Sequence, residues 1–213
     1  CYMASMVGSF GATIVVGYAK TFIIYLLVSI VFYVLLYTLC AFIAGGKKGV
    51  KSFWKNAIPP TLTALATCSS AASIPVNITA CKKIGVPDDI AETTVPLGTS
   101  FHKDGTIIGS MFKIMFLVCL FGIEMNTAGE IFGMLGIALV ANLLITAVPI
   151  GGGTISEMFI ISMMGFPVAA LPILTIIATI IDAPATVLNS IGDSAASMLV
   201  ARFVDGRDWN KNK

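Results

Sequence analysis

From Thr21 to Gly46 the chain runs 26 residues without a charged side chain. Wound as a helix at about 1.5 Å per residue, that stretch covers the roughly 30 Å hydrocarbon core of a bilayer. Two more charge-free stretches follow, Ala57–Cys81 and Phe132–Ser156, each of 25 residues. Charged residues make up 11% of the 213 and hydrophobic ones 57%, against about 25% charged in an ordinary soluble domain. So few charges cannot clothe a soluble globule, and so many apolar residues exclude a disordered chain. A net charge of +2 with a single histidine leaves no basic stripe for a nucleic acid. The five cysteines (Cys1, Cys40, Cys68, Cys81, Cys119) are scattered without metal-ligand spacing and read as small buried hydrophobes. The expectation is an all-α integral protein, multi-pass in a cell (plasma or inner) membrane, with the lipid bilayer as its surroundings. A start at Cys1 inside an apolar stretch, with no basic n-region or cleavage site, reads as a piece of a longer polytopic chain rather than a signal peptide.

The charges divide the chain. Residues 1–17 read as the end of a preceding membrane helix or a linker. Residues 18–56 read as a transmembrane helix ended by Gly45-Gly46, then a loop with Lys47, Lys48, Lys51 and Lys55, which the positive-inside rule puts in the cytoplasm. Residues 57–87 make a poor simple span. Their middle, Thr67-Cys68-Ser69-Ser70-Ala71-Ala72-Ser73-Ile74-Pro75, is small, polar and broken by proline, and Lys82 and Lys83 follow it. Basic flanks on both sides predict a re-entrant hairpin that enters and leaves by one face. Residues 88–130 read as a helix broken near 101–106, followed by an outer loop with Glu124 and Glu130. Residues 131–168 read as a second hairpin, with a tip around Thr146 and Gly151-Gly152-Gly153 and acidic flanks that place its entry outside. Residues 169–213 read as a final helix, from about Leu171 to Ala201, and a basic tail. Breaks in lipid-facing helices would leave backbone groups unsatisfied, so they must line a protected cavity. Two interrupted segments in inverted halves point to a secondary transporter with its site near the midplane.

On the final helix Asp182, Thr186, Asn189 and Asp193 are spaced i, i+4, i+7 and i+11. At about 100° per residue they fall within roughly 60° of one another. Even on the milder insertion scales a central Asp costs about 2.5–3.5 kcal/mol, and a bound cation or ammonium group would offset two of them. The alternative is a polar seam that only joins helices. At the hairpin tips, the free N–H groups of Ser69-Ser70-Ala71 suit a carboxylate, and carbonyls near Gly151–Gly153 suit cations.

The residues from about Tyr18 onward resemble the dicarboxylate/amino acid:cation symporters, a family that includes glutamate and serine/threonine transporters. The resemblance rests on Thr67 to Val76 at the first hairpin tip, Pro96-Leu97-Gly98 leading to Asp104-Gly105-Thr106, the Gly151-Gly152-Gly153 tip, and Asn189 with Gly192-Asp193. It implies the C-terminal part of an eight-helix, two-hairpin protein, from the sixth helix onward. It implies an elevator-type transport domain in a homotrimer of the full-length protein, with no enzymatic activity and no cofactor beyond a coupling Na+ or H+. Position by position, Ser69, Ser70 and Asn189 would hold a substrate α-carboxylate, Asp182 its α-ammonium, and Thr106 and Thr186 would line the pocket. Gly98, Asn189 and Asp193 would build one cation site and Asp104 another. Thr146 and the Gly151 tip would form the outer gate and a further ion site, with Gly152 and Gly153 in the gate.

The departures refine the expectation. Ala185 stands where acidic-substrate members carry an arginine on the last helix, so a side-chain carboxylate would be left unpaired. A neutral amino acid fits better. Cys68 replaces the arginine common before the serine run. His102-Lys103-Asp104 stands where the family typically reads Asn-Met-Asp. Lys103 is therefore expected as a tethered cation that neutralises Asp104 or Asp193 and weakens sodium dependence, unless it snorkels into water. A Lys103→Met variant with unchanged sodium dependence would remove that idea. His102 joins the cation site as a proton carrier or as a plain hydrogen-bonding residue. Lys113 takes no role from the pattern, and Glu157 faces either the second hairpin's cavity or the outer interface. Within the family the rival is a dicarboxylate symporter, which Asp182 opposes by repulsion. From other classes come a channel or scaffold subunit and an intramembrane hydrolase using Ser69 or Ser70 with His102; the tip lacks the GxSxG elbow that such a nucleophile uses.

Overall fold

The computed structural model describes residues 12–147, 152–206 and 209. All regular structure among them is helical: α1 (Ala12–Thr67), α2 (Ser70–Ile84), α3 (Asp88–Phe101), α4 (Asp104–Phe121), α5 (Ala128–Ala147), α6 (Gly152–Met164), a 3-10 turn (Val168–Ala170) and α7 (Leu171–Val204). Three stretches are long and apolar enough to cross a membrane: Val15–Thr67, Asp88–Phe121 and Val168–Val204. Their outward residues are apolar as well. Val16, Leu35, Phe101 and Phe203 are each more than 60% exposed, a surface suited to lipid rather than water.

The 56-residue α1 is two helices joined at Gly46, whose φ of 61° and ψ of −154° lie outside the helical region and suit a residue without Cβ. Lys47, Lys48, Lys51 and Lys55 sit beyond this kink on helix rather than in a loop. Lysine is a good helix former, and its long stem does not interrupt the hydrogen-bonded ladder. The second limb of α1 ends at Cys68, the one non-glycine residue with positive φ (48°) among those described. Ser69 then caps α2, its Oγ accepting the Ala72 N–H at 3.2 Å. Ser52 Oγ donates to the Ile84 carbonyl at 3.3 Å. Residues 52 and 84 are equally far from Cys68, so the second limb of α1 and α2 run antiparallel. α2 stops at Gly85 (φ 113°), where the N–H groups of Val86 and Gly85 reach back to the Cys81 and Lys82 carbonyls, a glycine C-cap of the Schellman type. Pro87, Asp88 and Asp89 then open α3, with the two acids in its first turn where the helix dipole favours them.

The chain divides into two compact units. The first comprises residues 1–27 and 106–182, the second 28–105 and 183–213. In the first, Ile114 and Leu117 of α4, Ile160 of α6, and Ile173, Leu174 and Ile177 of α7 are fully or almost fully buried. α5 and α6 pack on one another, and residues 148–151, which separate them, lie outside the described residues. In the second, the core is Tyr37, Phe53, Val95, Leu188, Ile191 and Met198. Here α7 is rich in small residues, and polar atoms join the helices: Asn77 donates to the Ser190 carbonyl at 2.7 Å, Ser194 to Asn77 Oδ1 at 3.1 Å, and Thr94 and Ser197 share a 2.6 Å bond. Close approach through small residues with interhelical hydrogen bonds is how helices associate where lipid removes the hydrophobic drive.

Candidate functional site

The helical run from Asp88 to Phe121 is interrupted at His102 and Lys103. His102 is extended (φ −85°, ψ 106°), its N–H returning to the Gly98 carbonyl at 2.7 Å. Lys103 folds back, and its ammonium donates to the Thr99 carbonyl at 2.6 Å. It thus caps a terminal carbonyl of α3 that the break would leave bare. Asp104 opens α4 in the first turn, again at the favourable end of a helix dipole.

In the second unit this break meets α7. His102 lies between two carboxylates, with Nε2 3.0 Å from Asp104 Oδ2 and Nδ1 3.4 Å from Asp193 Oδ1. The latter two atoms are buried and make no hydrogen bond. Asp193 is 1% exposed, and its Oδ2 accepts the Thr99 hydroxyl at 3.0 Å. Tyr37, from α1, donates toward Asp104 Oδ2 at 3.2 Å and to the Leu188 carbonyl at 2.7 Å. Asn189 accepts the Gly105 N–H at 2.9 Å through Oδ1. The ring thus stands between two carboxylates, in hydrogen-bonding reach of Asp104 and close to Asp193.

Three glycines make this closeness possible. A Cβ on Gly98 would stand 2.5 Å from Asp193 Oδ1. One on Gly105 would run into the Ala185 carbonyl oxygen, and one on Gly192 into the His102 ring. Backbone and side chain approach here to distances that only a missing Cβ permits.

The structure therefore gathers Gly98, His102, Asp104, Asn189 and Asp193. Lys103 is beside them but engages a carbonyl, and among the described residues the ion pairs to Asp104 and Asp193 are made by His102. Thr186 is buried on the same helix. Ser69 and Ser70 are half-buried at the start of α2. Thr106, half-buried on α4, and Asp182, exposed on α7, belong to the first unit. Thr146 is in the last turn of α5, with its side chain outside the described residues; Gly151 lies outside them altogether, while Gly152 and Gly153 open α6. Sequence reasoning missed Tyr37, Thr99, Gly105 and the contact of Gly192. Tyr37 carried no signal of its own, since Tyr25, Ser29, Tyr33 and Thr38 put other hydroxyls in the same stretch.

Residues 1–203 match the family described as "Sodium:dicarboxylate symporter family". The chain is 31% identical over 149 residues to "Neutral amino acid transporter A" of Homo sapiens, covering 70% of this chain and 28% of that protein. It is 28% identical over 152 residues to "Proton/sodium-glutamate symport protein" of Bacillus caldotenax, covering 71% of this chain and 36% of that one. It is also 28% identical over 160 residues to an "L-cystine uptake protein" of Shouchella clausii (strain KSM-K16), covering 74% and 34%. The chain thus spans about a third of the length of these curated relatives. With the family match running through the helix break and the buried aspartate of α7, this chain belongs to the sodium:dicarboxylate symporter family.

Proposed function

We propose that the protein containing this chain is a secondary active transporter that moves a neutral amino acid in symport with a cation, Na+ or H+. One observation carries the reading: two carboxylates, Asp104 and Asp193, are brought to a helix interruption inside an apolar body and share one imidazole. Charges are costly there and suit a site that binds and releases a cation. Ser69, Ser70 and Asn189 are the proposed carboxylate partners, Asp182 the ammonium partner, and Thr106 and Thr186 the lining residues. Gly98, Asp104, Asn189 and Asp193 are the proposed cation ligands, with Lys103 as a nearby fixed positive charge. Re-entrant placement of the two helix pairs, gating at Thr146 and Gly151–Gly153, an elevator-like motion and a homotrimer of the full-length protein belong to the same proposal. The names of the relatives, which include a neutral amino acid transporter, and the uncharged Ala185 support a neutral substrate.

A dicarboxylate symporter is the rival within the family, and Asp182 speaks against it by charge. A hydrolase is disfavoured locally. Ser69 Oγ caps α2, and the His102 nitrogens face Asp104 and Asp193, so neither is arranged as nucleophile and base.

The test is thermal unfolding in detergent with neutral amino acids, glutamate and succinate, each with and without sodium at two pH values. A ligand of the native state raises Tm by mass action. A shift with neutral amino acids supports the reading. A shift with succinate alone moves it to dicarboxylates, and saturable uptake against a gradient by the full-length protein separates a carrier from a channel.

A further inference from the structure

The first unit buries a charge pair that the proposed site does not use. Lys113 of α4 meets Glu157 of α6, Nζ to Oε1 at 3.2 Å, with side chains 8% and 3% exposed. The second oxygen of Glu157 accepts the Thr175 hydroxyl of α7 at 2.8 Å. One turn earlier on α4, Ser110 Oγ accepts Asn142 Nδ2 of α5 at 3.0 Å. α4 therefore grips both members of the α5–α6 pair, and α7 joins through Thr175.

An apolar pair of similar volume would often hold such helices as firmly. A hydrogen-bonded ion pair differs in fixing one register and in parting as a unit. Its placement is also regular. Lys113 lies seven residues along α4 from Thr106, and Thr175 seven residues before Asp182 on α7; each separation is about 10 Å of helix. Glu157 lies five residues from Gly152, the first residue of α6. On α4 and α7 the polar node stands about two turns from the residue assigned to the ligand, and on α6 about one and a half turns from the start of the helix.

We propose that Lys113, Glu157 and Thr175 are positioning residues: a polar clasp that seats the α5–α6 pair against α4 and α7 and has to part for that pair to move. The parting of the clasp during transport rests on the transporter reading; its seating of the helices does not.

Hydrogen exchange of the chain in lipid nanodiscs tests it without any ligand. Lys113→Met or Glu157→Gln leaves one buried charge unpaired, and exchange in α5 and α6 should rise roughly a hundredfold while α2 and α3 stay at wild-type rates. The charge reversal Lys113→Glu/Glu157→Lys should recover most of that loss. Should a single variant fail to fold, Thr175→Val removes one hydrogen bond and should raise exchange in α6 about threefold. Unchanged exchange in Thr175→Val, an equal rise in every helix, or no recovery on charge reversal overturns the clasp. L-Alanine added to the wild type reports separately: no change in its melting temperature counts against a neutral amino acid substrate and leaves the exchange result standing.

Discussion

Replacing Gly192 with alanine asks a methyl group and the His102 imidazole to share one place. The Cβ would fall on the ring carbon Cε1, 2.8 Å from Nδ1 and 2.9 Å from the Tyr37 hydroxyl oxygen. Neither neighbour is free to yield. The ring is held by Asp104 at 3.0 Å, and Tyr37 is tied to the Leu188 carbonyl at 2.7 Å. Keeping the ring in place costs the strain of overpacking, about 1–3 kcal/mol. Swinging it away leaves buried Asp193 without its imidazole neighbour and costs about 3–5 kcal/mol. The cheaper route governs, and the helix regains up to about 1 kcal/mol when alanine replaces glycine. The net is a loss of up to about 2 kcal/mol, or up to roughly 4–8 °C in Tm for a chain of this size. Gly136→Ala on α5 is the control, because nothing lies within 4 Å of its added Cβ; it should raise Tm by about 2 °C or more. Both are read by thermal unfolding in one detergent. If Gly192→Ala melts at or above wild type while Gly136→Ala rises as expected, the packing of His102 on Gly192 is wrong.

Three further outcomes follow from the same contacts. His102→Asn removes the side chain shared by Asp104 and Asp193, so replacing choline with sodium should raise Tm more for this variant than for wild type; equal responses would sink the bridging role. Asp182→Asn should abolish stabilisation by neutral amino acids; retained stabilisation would remove Asp182 from the ligand. Glu130 accepts the N–H groups of Thr127 and, second, Asn126, both at 2.9 Å, and these hold its carboxyl below the usual 4.5. A lowered folded pKa stabilises above the unfolded value and is lost as pH falls through the folded one. Protection of the first turn of α5 should accordingly fade on acidification below 4.5, and Glu130→Gln should flatten that dependence.

Much of the architecture is written locally. The uncharged stretches have membrane length; the glycine stop at Gly85 and the capping box at Thr127-Ala128-Gly129-Glu130, with Glu130 N–H donating to the Thr127 hydroxyl at 3.3 Å, are equally local, though they came from the structure. The i, i+4, i+7, i+11 series places Asp182, Thr186, Asn189 and Asp193 on one stripe of α7. These follow from helix period, caps and backbone preferences, which depend only on near neighbours. Periodicity says nothing about what meets that stripe. Tyr37 finds Asp104 across 67 residues and Leu188 across 151; Lys113 finds Glu157 across 44. The charge on the Lys47–Lys55 segment was plain, yet its helical continuation past Gly46 was not, because a glycine ends some helices and only kinks others. Lys103 and His102 illustrate the division best. Sequence put a histidine and a lysine beside Asp104, and it was the extended backbone at residue 102 and the absent Cβ at Gly98 and Gly192 that brought Asp104 and Asp193 to the imidazole and left the ammonium on a carbonyl.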